Sequence, residues 1–482
     1  MYRAPSKKRQ LIQRGVVYAL MIVSVVLVVT FLVFVMLGYR FNRDTSSIQQ
    51  GGLVQFASRP SDAKVTIGRA SLTNTTPSKI TVNPGDYDVK MEKRNYLPWQ
   101  KKVSIKAGEV LWLNYAQLVP ASITTDTLST FDSLSQVKAS PNGKYYALIE
   151  KADTAKVTIV ELSGDKPKQT SVTIPASLRP AGVVSYKVAS WSNDSDRLLV
   201  TATVKNKAEW LLVKREAASA EDVINLSDVY DSSIKELTFD PRSSERLVLL
   251  SGQNELRLID TAAESLSPIL QTNVQSVSPY GSDALFFVRT ISKNEQSIDY
   301  LSLGSTKSRE LKRVEGAQPV LVAAASYFSD PYVAISSGTQ LDVYRLNRLP
   351  GSQSDDAITL NTVFSHVVPS QPTYLSIRSN GRFVIAQYQK GIATYDLELS
   401  KYTLTSLNAG LKPELRWLDR YHFYVTNQNR LTVMEFDGAN PHNIVELSTE
   451  FDAVQSDDGK YIYSVTKKDT GFALRRSQMI LD

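Results

Sequence analysis

The segment Val-Lys-Ala-Ser-Pro-Asn-Gly-Lys-Tyr-Tyr-Ala-Leu, residues 137–148, decides the fold of most of this chain. A short strand pattern comes first, a Ser-Pro-Asn-Gly turn follows, and a run of aromatic and aliphatic residues completes the unit. Pro, Asn and Gly together are typical of a tight turn, and the residues on either side favour strands. The unit returns at residues 454–465 as Val-Gln-Ser-Asp-Asp-Gly-Lys-Tyr-Ile-Tyr-Ser-Val, which indicates an internal repeat.

Eight copies of this unit occur in the last three quarters of the chain, and the fifth copy is degenerate. They lie at residues 137–148, 189–200, 237–250, 274–288, 327–335, 375–386, 415–425 and 454–465. Further strand patterns separate the copies, for example at Glu255–Asp260 and Gly391–Leu397. The mean period of roughly 45 residues, with several strands in each period, predicts an all-β protein with a β-propeller.

The turns at Ser140–Lys144 and Ser456–Lys460 resemble the hairpins of TolB-like and WD40-like β-propellers. The resemblance implies a propeller over residues 121–482, with eight blades by the copy count and seven as the alternative. An open ring would leave an unpaired sheet edge. We therefore expect the strand-like residues Ala121–Thr125 to pair with the last strand of the chain, near Phe472–Arg475.

Residues 51–119 predict a small β-sandwich of six or seven short strands separated by turns rich in Pro, Gly, Asp and Asn. Five elements in this region stand in one order: Gly52-Leu53-Val54, Ser58-x-Pro60-x-x-Ala63-x-Val65-x-Ile67-Gly68, Thr76-Pro77, Asn83-Pro84-Gly85-x-Tyr87-x-Val89 and Arg94-Asn95-Tyr96-x-Pro98-Trp99. In this order and spacing the region resembles a PEGA domain. The resemblance implies a surface-associated β-module of bacterial envelope proteins, without catalytic residues, that acts as a spacer or docking domain.

Two positions depart from the PEGA pattern. The motif that names the family reads Pro60-Ser61-Asp62-Ala63 in this chain, and Asn95 stands where the family has Gly before an aromatic residue. Asn is enriched among non-Gly residues with positive φ. We therefore expect the turn at Asn95 to keep its conformation.

Residues 15–39 contain no charged residue over 25 positions, enough for a helix of roughly 37 Å. The run is too long for the apolar part of a cleaved signal peptide, and a buried core helix would not be apolar on every side directly after a basic cluster. Five basic residues precede it (Arg3, Lys7, Lys8, Arg9 and Arg14) and two follow it closely (Arg40 and Arg43). By the positive-inside rule we expect a cytoplasmic tail at 1–14, a single-pass transmembrane signal anchor at 15–39, a polar linker at 40–50 and extracytoplasmic domains thereafter.

Composition excludes several classes of function. The net charge of +7 places +5 within the first 14 residues, and the balance from residue 15 onward is 50 basic against 48 acidic residues. This distribution does not predict a nucleic-acid partner. The chain has no Cys, and His366, His422 and His442 are far apart in the sequence. We therefore assign no catalytic residue, no metal site and no cofactor.

Two functional hypotheses follow from a repeat scaffold without a catalytic motif. The first is a cell-membrane protein, not an enzyme, whose extracytoplasmic propeller binds a protein or a cell-envelope polymer. Its longest loop would be Leu349–Asp356. The alternative is an extracytoplasmic hydrolase or lyase that acts on glycans or peptides, with Asp, Glu, Arg and Tyr side chains converging in the propeller channel.

Four Trp residues and one acidic turn could suggest ligand binding. Trp99 and Trp112 lie in the predicted sandwich, and Trp191 and Trp417 occupy equivalent positions of two repeat copies. For all four we favour packing over ligand stacking. Asp457-Asp458-Gly459 lacks the alternating carboxylates of a calcium loop, so we interpret it as a hairpin turn.

Overall fold

The computed structural model describes residues 7–36, 38–42, 47–163, 167–230, 233–281, 284–349, 357–377, 381–407, 415–427, 429–448 and 451–481. The chain forms two compact units, Met1–Ser122 and Ile123–Asp482. The following paragraphs treat each unit separately.

The first unit begins with helix α1, Lys7–Met36. Its segment Arg14–Met36 has a mean hydropathy of 3.1, and none of that segment is buried within the protein. A helix that exposes apolar side chains on every side has the length and composition of a membrane span. Gly38, at a φ of +79°, follows the end of the helix, and its amide donates to the carbonyl of Val35 at 3.0 Å.

A β-hairpin lies where the sequence predicted the end of the anchor and a polar linker. Strands β1, Tyr39–Asn42, and β2, Ser47–Gln50, pair in antiparallel orientation. The Gly51 amide donates to the Gly38 carbonyl at 3.0 Å and closes the base of the hairpin. The sequence predicted a polar linker at 40–50 but not this pairing of β1 with β2 within it.

The β-sandwich predicted after the hairpin is present. Its strands are β3 Gly52–Arg59, β4 Lys64–Ile67, β5 Ala70–Ser71, β6 Ser78–Val82, β7 Gly85–Glu92, β8 Trp99–Ile105 and β9 Val110–Gln117. One sheet has the order β6-β3-β9 and the other β5-β4-β7-β8. Strands β3 and β9 are parallel, and all other neighbours are antiparallel. Phe56, Val65, Met91 and Trp99 are buried in its core.

The second unit begins with β10, Thr125–Phe131, and its described residues then form eight four-stranded antiparallel sheets. The first sheet contains β11 Gln136–Ala139, β12 Tyr145–Ile149, β13 Lys156–Glu161 and β14 Lys168–Thr173, and the second contains β15 Ser185–Trp191, β16 Arg197–Val204, β17 Lys207–Lys214 and β18 Val223–Asn225. The third sheet contains β19 Ile234–Phe239, β20 Arg246–Ser251, β21 Leu256–Asp260 and β22 Ser265–Leu266, and the fourth contains β23 Val274–Tyr280, β24 Ala284–Ser292, β25 Glu295–Ser302 and β26 Arg309–Glu315. A short helix α2, Leu226–Val229, and two 3₁₀ helices, Ala176–Leu178 and Ala220–Asp222, lie between strands.

The other four sheets continue the same pattern. The fifth sheet contains β27 Val320–Tyr327, β28 Asp330–Ser337, β29 Gln340–Leu346 and β30 Leu360–Val367, and the sixth contains β31 Tyr374–Ile377, β32 Phe383–Tyr388, β33 Gly391–Asp396 and β34 Lys401–Ser406. The seventh sheet contains β35 Arg416–Trp417, β36 His422–Asn427, β37 Arg430–Glu435 and β38 His442–Glu446, and the eighth contains β39 Val454–Gln455, β40 Tyr461–Lys467, β41 Phe472–Gln478 and β10. In each sheet the repeat unit supplies the first two strands, so the predicted repeat corresponds to the structural one.

The eighth sheet closes the ring with strands from both ends of the unit. Strand β10 pairs with β41, from Thr125 opposite Ser477 to Phe131 opposite Phe472. An apolar cluster that includes Tyr146 and Leu474 joins this sheet to the first sheet. The last strand was predicted correctly, but the closing strand is Thr125–Phe131 and not Ala121–Thr125.

The residues before β10 explain why Ala121 is not part of the closing strand. The amide of Ala121 donates to the carbonyl of Asn95 at 2.9 Å, and Pro120 forms a β-bridge with Tyr96. These contacts hold Ala121 in the first unit, which extends to Ser122.

The connections of the second unit define two faces. Links from the second to the third strand of a sheet, and links from one sheet to the next, lie at one end of the strands, which we call the upper face. Links from the first to the second strand and from the third to the fourth lie at the opposite end, the lower face. Because β10 runs antiparallel to β41, the chain enters this unit at the lower face.

Candidate functional site

A pocket of about 560 Å³ opens on the upper face between the seventh and eighth sheets. The turn between β36 and β37, the connection that follows β38, and the end of β40 form its walls. These elements supply the lining residues Asn429, Arg430, Glu446, Leu447, Ser448, Thr466 and Lys467. Six of the seven are polar or charged, so the pocket is suited to a polar ligand.

Hydrogen bonds within the seventh sheet and from its last connection to the eighth sheet hold the walls of the pocket. Ser448 donates its amide to the carbonyl of Val465 at 3.0 Å, and its hydroxyl accepts from the Lys467 amide at 3.1 Å. The Leu447 amide donates to the Asn429 carbonyl at 2.9 Å. Leu447 and Thr466 are almost fully buried beneath the opening. The pocket therefore has a rigid floor, and its exposed members are free to meet a ligand.

Positive charge dominates the rim of the pocket. Arg430 and Lys467 are exposed, and Glu446 is the single carboxylate among the lining residues that the structure describes. Glu446 lies 3.7 Å from the guanidinium of Arg475, and 65% of its side chain is exposed. A solvent-exposed pair at this distance is weak. Two cationic side chains thus remain to attract carboxylate or phosphate groups of a ligand.

The first strand of each sheet lies at the propeller channel, where the enzyme hypothesis expected catalytic residues. Exposed side chains on these strands include Lys187, Lys235, Glu236 and Gln275. The ammonium of Lys235 donates to the side-chain oxygen of Asn254 at 2.9 Å. These residues are polar, but no contact among them identifies an acid and base pair, so the enzyme hypothesis stays a prediction.

Two ion pairs join residues of the same sheet, and the carboxylate of each is buried. Arg289 bonds Asp299 at 3.0 Å, and burial raises the pKa of this carboxyl group. Arg382 makes two bonds to Asp396, at 3.0 and 2.8 Å, and both side chains are buried. A shifted pKa is a sign of a functional site only where a ligand has access. We therefore assign these pairs to the framework of the propeller.

Three of the four Trp residues pack as predicted. Trp99 is buried in the sandwich core, and Trp191 is buried between the first and second sheets, where its indole donates to the Lys138 carbonyl at 3.2 Å. Trp417 is partly buried against the ring of Phe423. Trp112 differs, because 44% of it is exposed on the outer side of edge strand β9.

The His residues are not brought together. His422 is buried and bonded to Asp419 at 2.9 Å, whereas His366 is exposed beside Tyr402. Burial lowers the pKa of His442. Within the described part of the chain, no group of three His, Cys, Asp or Glu residues could hold a metal ion.

The acidic turn at 457–459 forms a hairpin, as predicted. The Ser456 hydroxyl donates to Asp458 at 2.6 Å, and the Lys460 amide donates to the same carboxylate oxygen at 3.0 Å. Of the predicted binding loop Leu349–Asp356, residues 350–356 lie outside the described residues. The pocket on the upper face was not predicted, because its residues come from three separate elements and share no motif.

The closed series of four-stranded antiparallel sheets defines the second unit as a β-propeller, which confirms the predicted fold class. Residues 52–120 match the PEGA domain family, so the resemblance seen in the sequence is also confirmed. The PEGA match covers the sandwich of the first unit. A comparison with curated proteins finds no match.

Solved structures with a similar fold have diverse functions. The C-terminal WD40 domain of Sif2 shares 10% identity and a TM-score of 0.48, with 74% of this chain and 99% of that chain covered. Dipeptidyl peptidase 4 of Porphyromonas gingivalis shares 11% identity and a TM-score of 0.48, with 73% and 58% covered. An oligogalacturonate lyase in complex with manganese shares 10% identity and a TM-score of 0.40, with 73% and 99% covered. At this identity, the likeness concerns the fold alone.

Proposed function

We propose that this protein is a membrane-anchored extracytoplasmic binding protein. Helix α1 anchors it in the cell membrane, the PEGA domain acts as a spacer or docking module, and the upper face of the propeller binds a partner. The partner is a protein or a cell-envelope polymer that presents carboxylate or phosphate groups. The pocket between the seventh and eighth sheets is the observation that carries this proposal.

The charge of the pocket supports an anionic partner. Arg430 and Lys467 approach the opening from different sheets, so a single acidic group could bond both. Hydrogen bonds between ionised partners are about twice as strong as neutral ones. Asn429, Ser448 and Thr466 add neutral polar groups that suit the hydroxyl or amide groups of a polymer or a peptide.

The described residues that line the pocket favour a binding function over a catalytic one. Among the described residues that line the pocket there is one carboxylate, Glu446, and no His or Tyr that could act with it as an acid and base pair. We therefore propose that the protein is not an enzyme. The membrane location rests on the exposed apolar surface of α1 and on the basic residues that precede it.

A crosslinking experiment in intact cells tests the proposal. The chain has no Cys, so Asn429→Cys in the full-length protein creates a single attachment point for a membrane-impermeant photoreactive maleimide at the pocket. We expect a discrete crosslinked adduct. Adding Arg430→Ala and Lys467→Ala should lower its yield about tenfold or more, since two charge-assisted contacts are lost.

Lys205→Cys provides the matched control. Lys205 lies in the turn between β16 and β17 on the same face, and like Asn429 it has a positive φ, +45° against +60°. We expect no such adduct from this position. Equal adducts from both positions, or an adduct that survives loss of Arg430 and Lys467, would contradict the proposed site.

A further inference from the structure

The outward-facing side of the β6-β3-β9 sheet of the PEGA domain has an unusual composition. The register places Leu53 between Thr81 and Val110, and Gln55 between Lys79 and Trp112. Because side chains alternate along a strand, the intervening residues Val54, Phe56, Leu111 and Leu113 point into the buried core. We call the six outward-pointing residues the outer sheet face: Leu53, Gln55, Lys79, Thr81, Val110 and Trp112.

The outer sheet face begins close to the end of the apolar helix. Helix α1 ends at Met36, and the Gly51 amide bonds to the Gly38 carbonyl at 3.0 Å. The Gly108 amide donates to the Gly51 carbonyl at 3.1 Å. Leu53 and Val110 each lie only two residues beyond this junction. Trp112 lies about 7 Å farther along β9, at the usual strand rise of about 3.3 Å per residue.

The chemistry of the outer sheet face matches that of a membrane interface. Val110 and Trp112 are 43% and 44% exposed, although both are apolar. Trp is enriched where membrane and water meet, and a Lys side chain can lay its apolar stem along such a surface. The outer sheet face includes no carboxylate, whereas Asp86, Asp88 and Glu92 lie exposed on the other sheet.

Charge is also divided between the PEGA domain and the second unit. Residues 51–122 contain 10 Lys and Arg against 5 Asp and Glu, a net charge of +5. Residues 123–482 contain 38 against 42, a net charge of −4. The near-neutral balance of the whole chain after its basic tail therefore conceals a basic PEGA domain. Anionic lipid headgroups attract basic residues that lie beside a membrane helix.

We propose that the outer sheet face rests on the headgroup region of the same membrane that holds α1. Trp112 and Val110 enter the interface, and Lys79 contacts anionic headgroups. This contact fixes the orientation of the PEGA domain against the bilayer, in addition to the covalent link through Gly38. The inference rests on the membrane anchor of the proposed function, but not on the pocket of the propeller.

Quenching of tryptophan fluorescence by brominated lipid tests this contact. The full-length chain is reconstituted into phosphatidylcholine vesicles that contain phosphatidylglycerol and lipids brominated near the headgroup. The chain has five Trp residues. We expect quenching in the wild type that Trp112→Phe abolishes. Trp417→Phe, which removes a partly buried residue of the other unit, should leave the quenched emission in place.

A second arm tests the charge. Lys79→Glu should weaken the quenching of Trp112 in vesicles with phosphatidylglycerol and leave it unchanged in phosphatidylcholine alone. Flotation of the same vesicles separates the two claims. If the chain floats with the vesicles but Trp112→Phe leaves quenching unchanged, the sheet contact is refuted and the anchor stands. If the chain does not float, the anchor fails and the contact fails with it.

Discussion

Ser140, Ser192 and Ser456 occupy the same position in three copies of the repeat, and their hydroxyl groups make the same contacts. Each hydroxyl donates to the Asn or Asp two residues later and accepts the amide at the start of the next strand. In the second copy these bonds join Ser192 to Asp194 at 2.5 Å and to the Arg197 amide at 2.9 Å. This network explains why the repeat keeps a Ser before an Asn or Asp.

Ser192→Ala should lower the free energy of unfolding by about 1–3 kcal/mol, because Ser192 is fully buried and the Arg197 amide loses its acceptor. Ser185→Ala, at an exposed position of the preceding strand β15, should change it by less than about 0.5 kcal/mol. Denaturant unfolding of the full-length protein in detergent, followed by tryptophan fluorescence, measures both. Equal values for the two variants would contradict the role of the network.

The network also has a pH dependence. Burial opposes the ionisation of Asp194, but hydrogen bonds from Ser192 and from the Asp196 amide outweigh it and lower its pKa. A lowered pKa in the folded state stabilises the protein above the pKa of the unfolded chain, roughly 4. We therefore expect this contribution to be lost as the pH falls below that value.

Two residues in the PEGA domain show that a single sequence position can indicate a turn with positive φ. Asn95 has a φ of +68°, as its place in the family pattern predicted. Asp62, within the sequence that names the family, also has a positive φ, +66°. Both side chains can form local hydrogen bonds and tolerate this conformation better than other non-Gly residues. The turns could therefore be predicted from the sequence despite the missing Gly residues.

At the scale of elements, closure of the ring depends on the pairing of β10 with β41. Gly471, at the turn before β41, has a φ of +80°, and a Cβ added there would collide with the carbonyl oxygen of Phe131 at the end of β10. The position therefore requires glycine for both its conformation and its space. A closing strand that comes from the opposite end of the chain needs this close approach.

Gly471→Ala should lower the free energy of unfolding by about 2–4 kcal/mol, as the sum of backbone strain and the collision. It should also speed hydrogen exchange at the amides of β10. Gly304→Ala is the matched control, since Gly304 has a φ of +102° but nothing within 4 Å of an added Cβ. The control should show the backbone strain alone, and equal effects of the two substitutions would contradict a role in closure.

The strands of the propeller could be predicted well from the sequence, because each repeat unit carries its own turn. The closing strand was placed about four residues too early, since the bond from Ala121 to Asn95 belongs to a contact that no local pattern records. The hairpin at β1 and β2 was missed for the same reason. The pocket at Arg430 and Lys467 arises only when two sheets meet, so the sequence contained no signal for it.

At the scale of the whole molecule, the chain combines three physical environments. Helix α1 exposes apolar side chains on all sides, and lipid is the solvent that stabilises such a surface. The PEGA domain that follows is basic, and the propeller is slightly acidic. This order places the positive module next to the apolar helix, and the propeller face that carries the pocket lies opposite its point of chain entry.

The central claim is that α1 crosses the membrane once and that all later residues are extracytoplasmic. Because the chain lacks Cys, single cysteines can report this directly. Ser265→Cys lies at an exposed position of the propeller, and Ser6→Cys precedes α1. In intact cells, a membrane-impermeant maleimide should label Ser265→Cys fully and label Ser6→Cys only after permeabilisation. Labelling of Ser6→Cys in intact cells, with Ser265→Cys protected until lysis, would contradict the account.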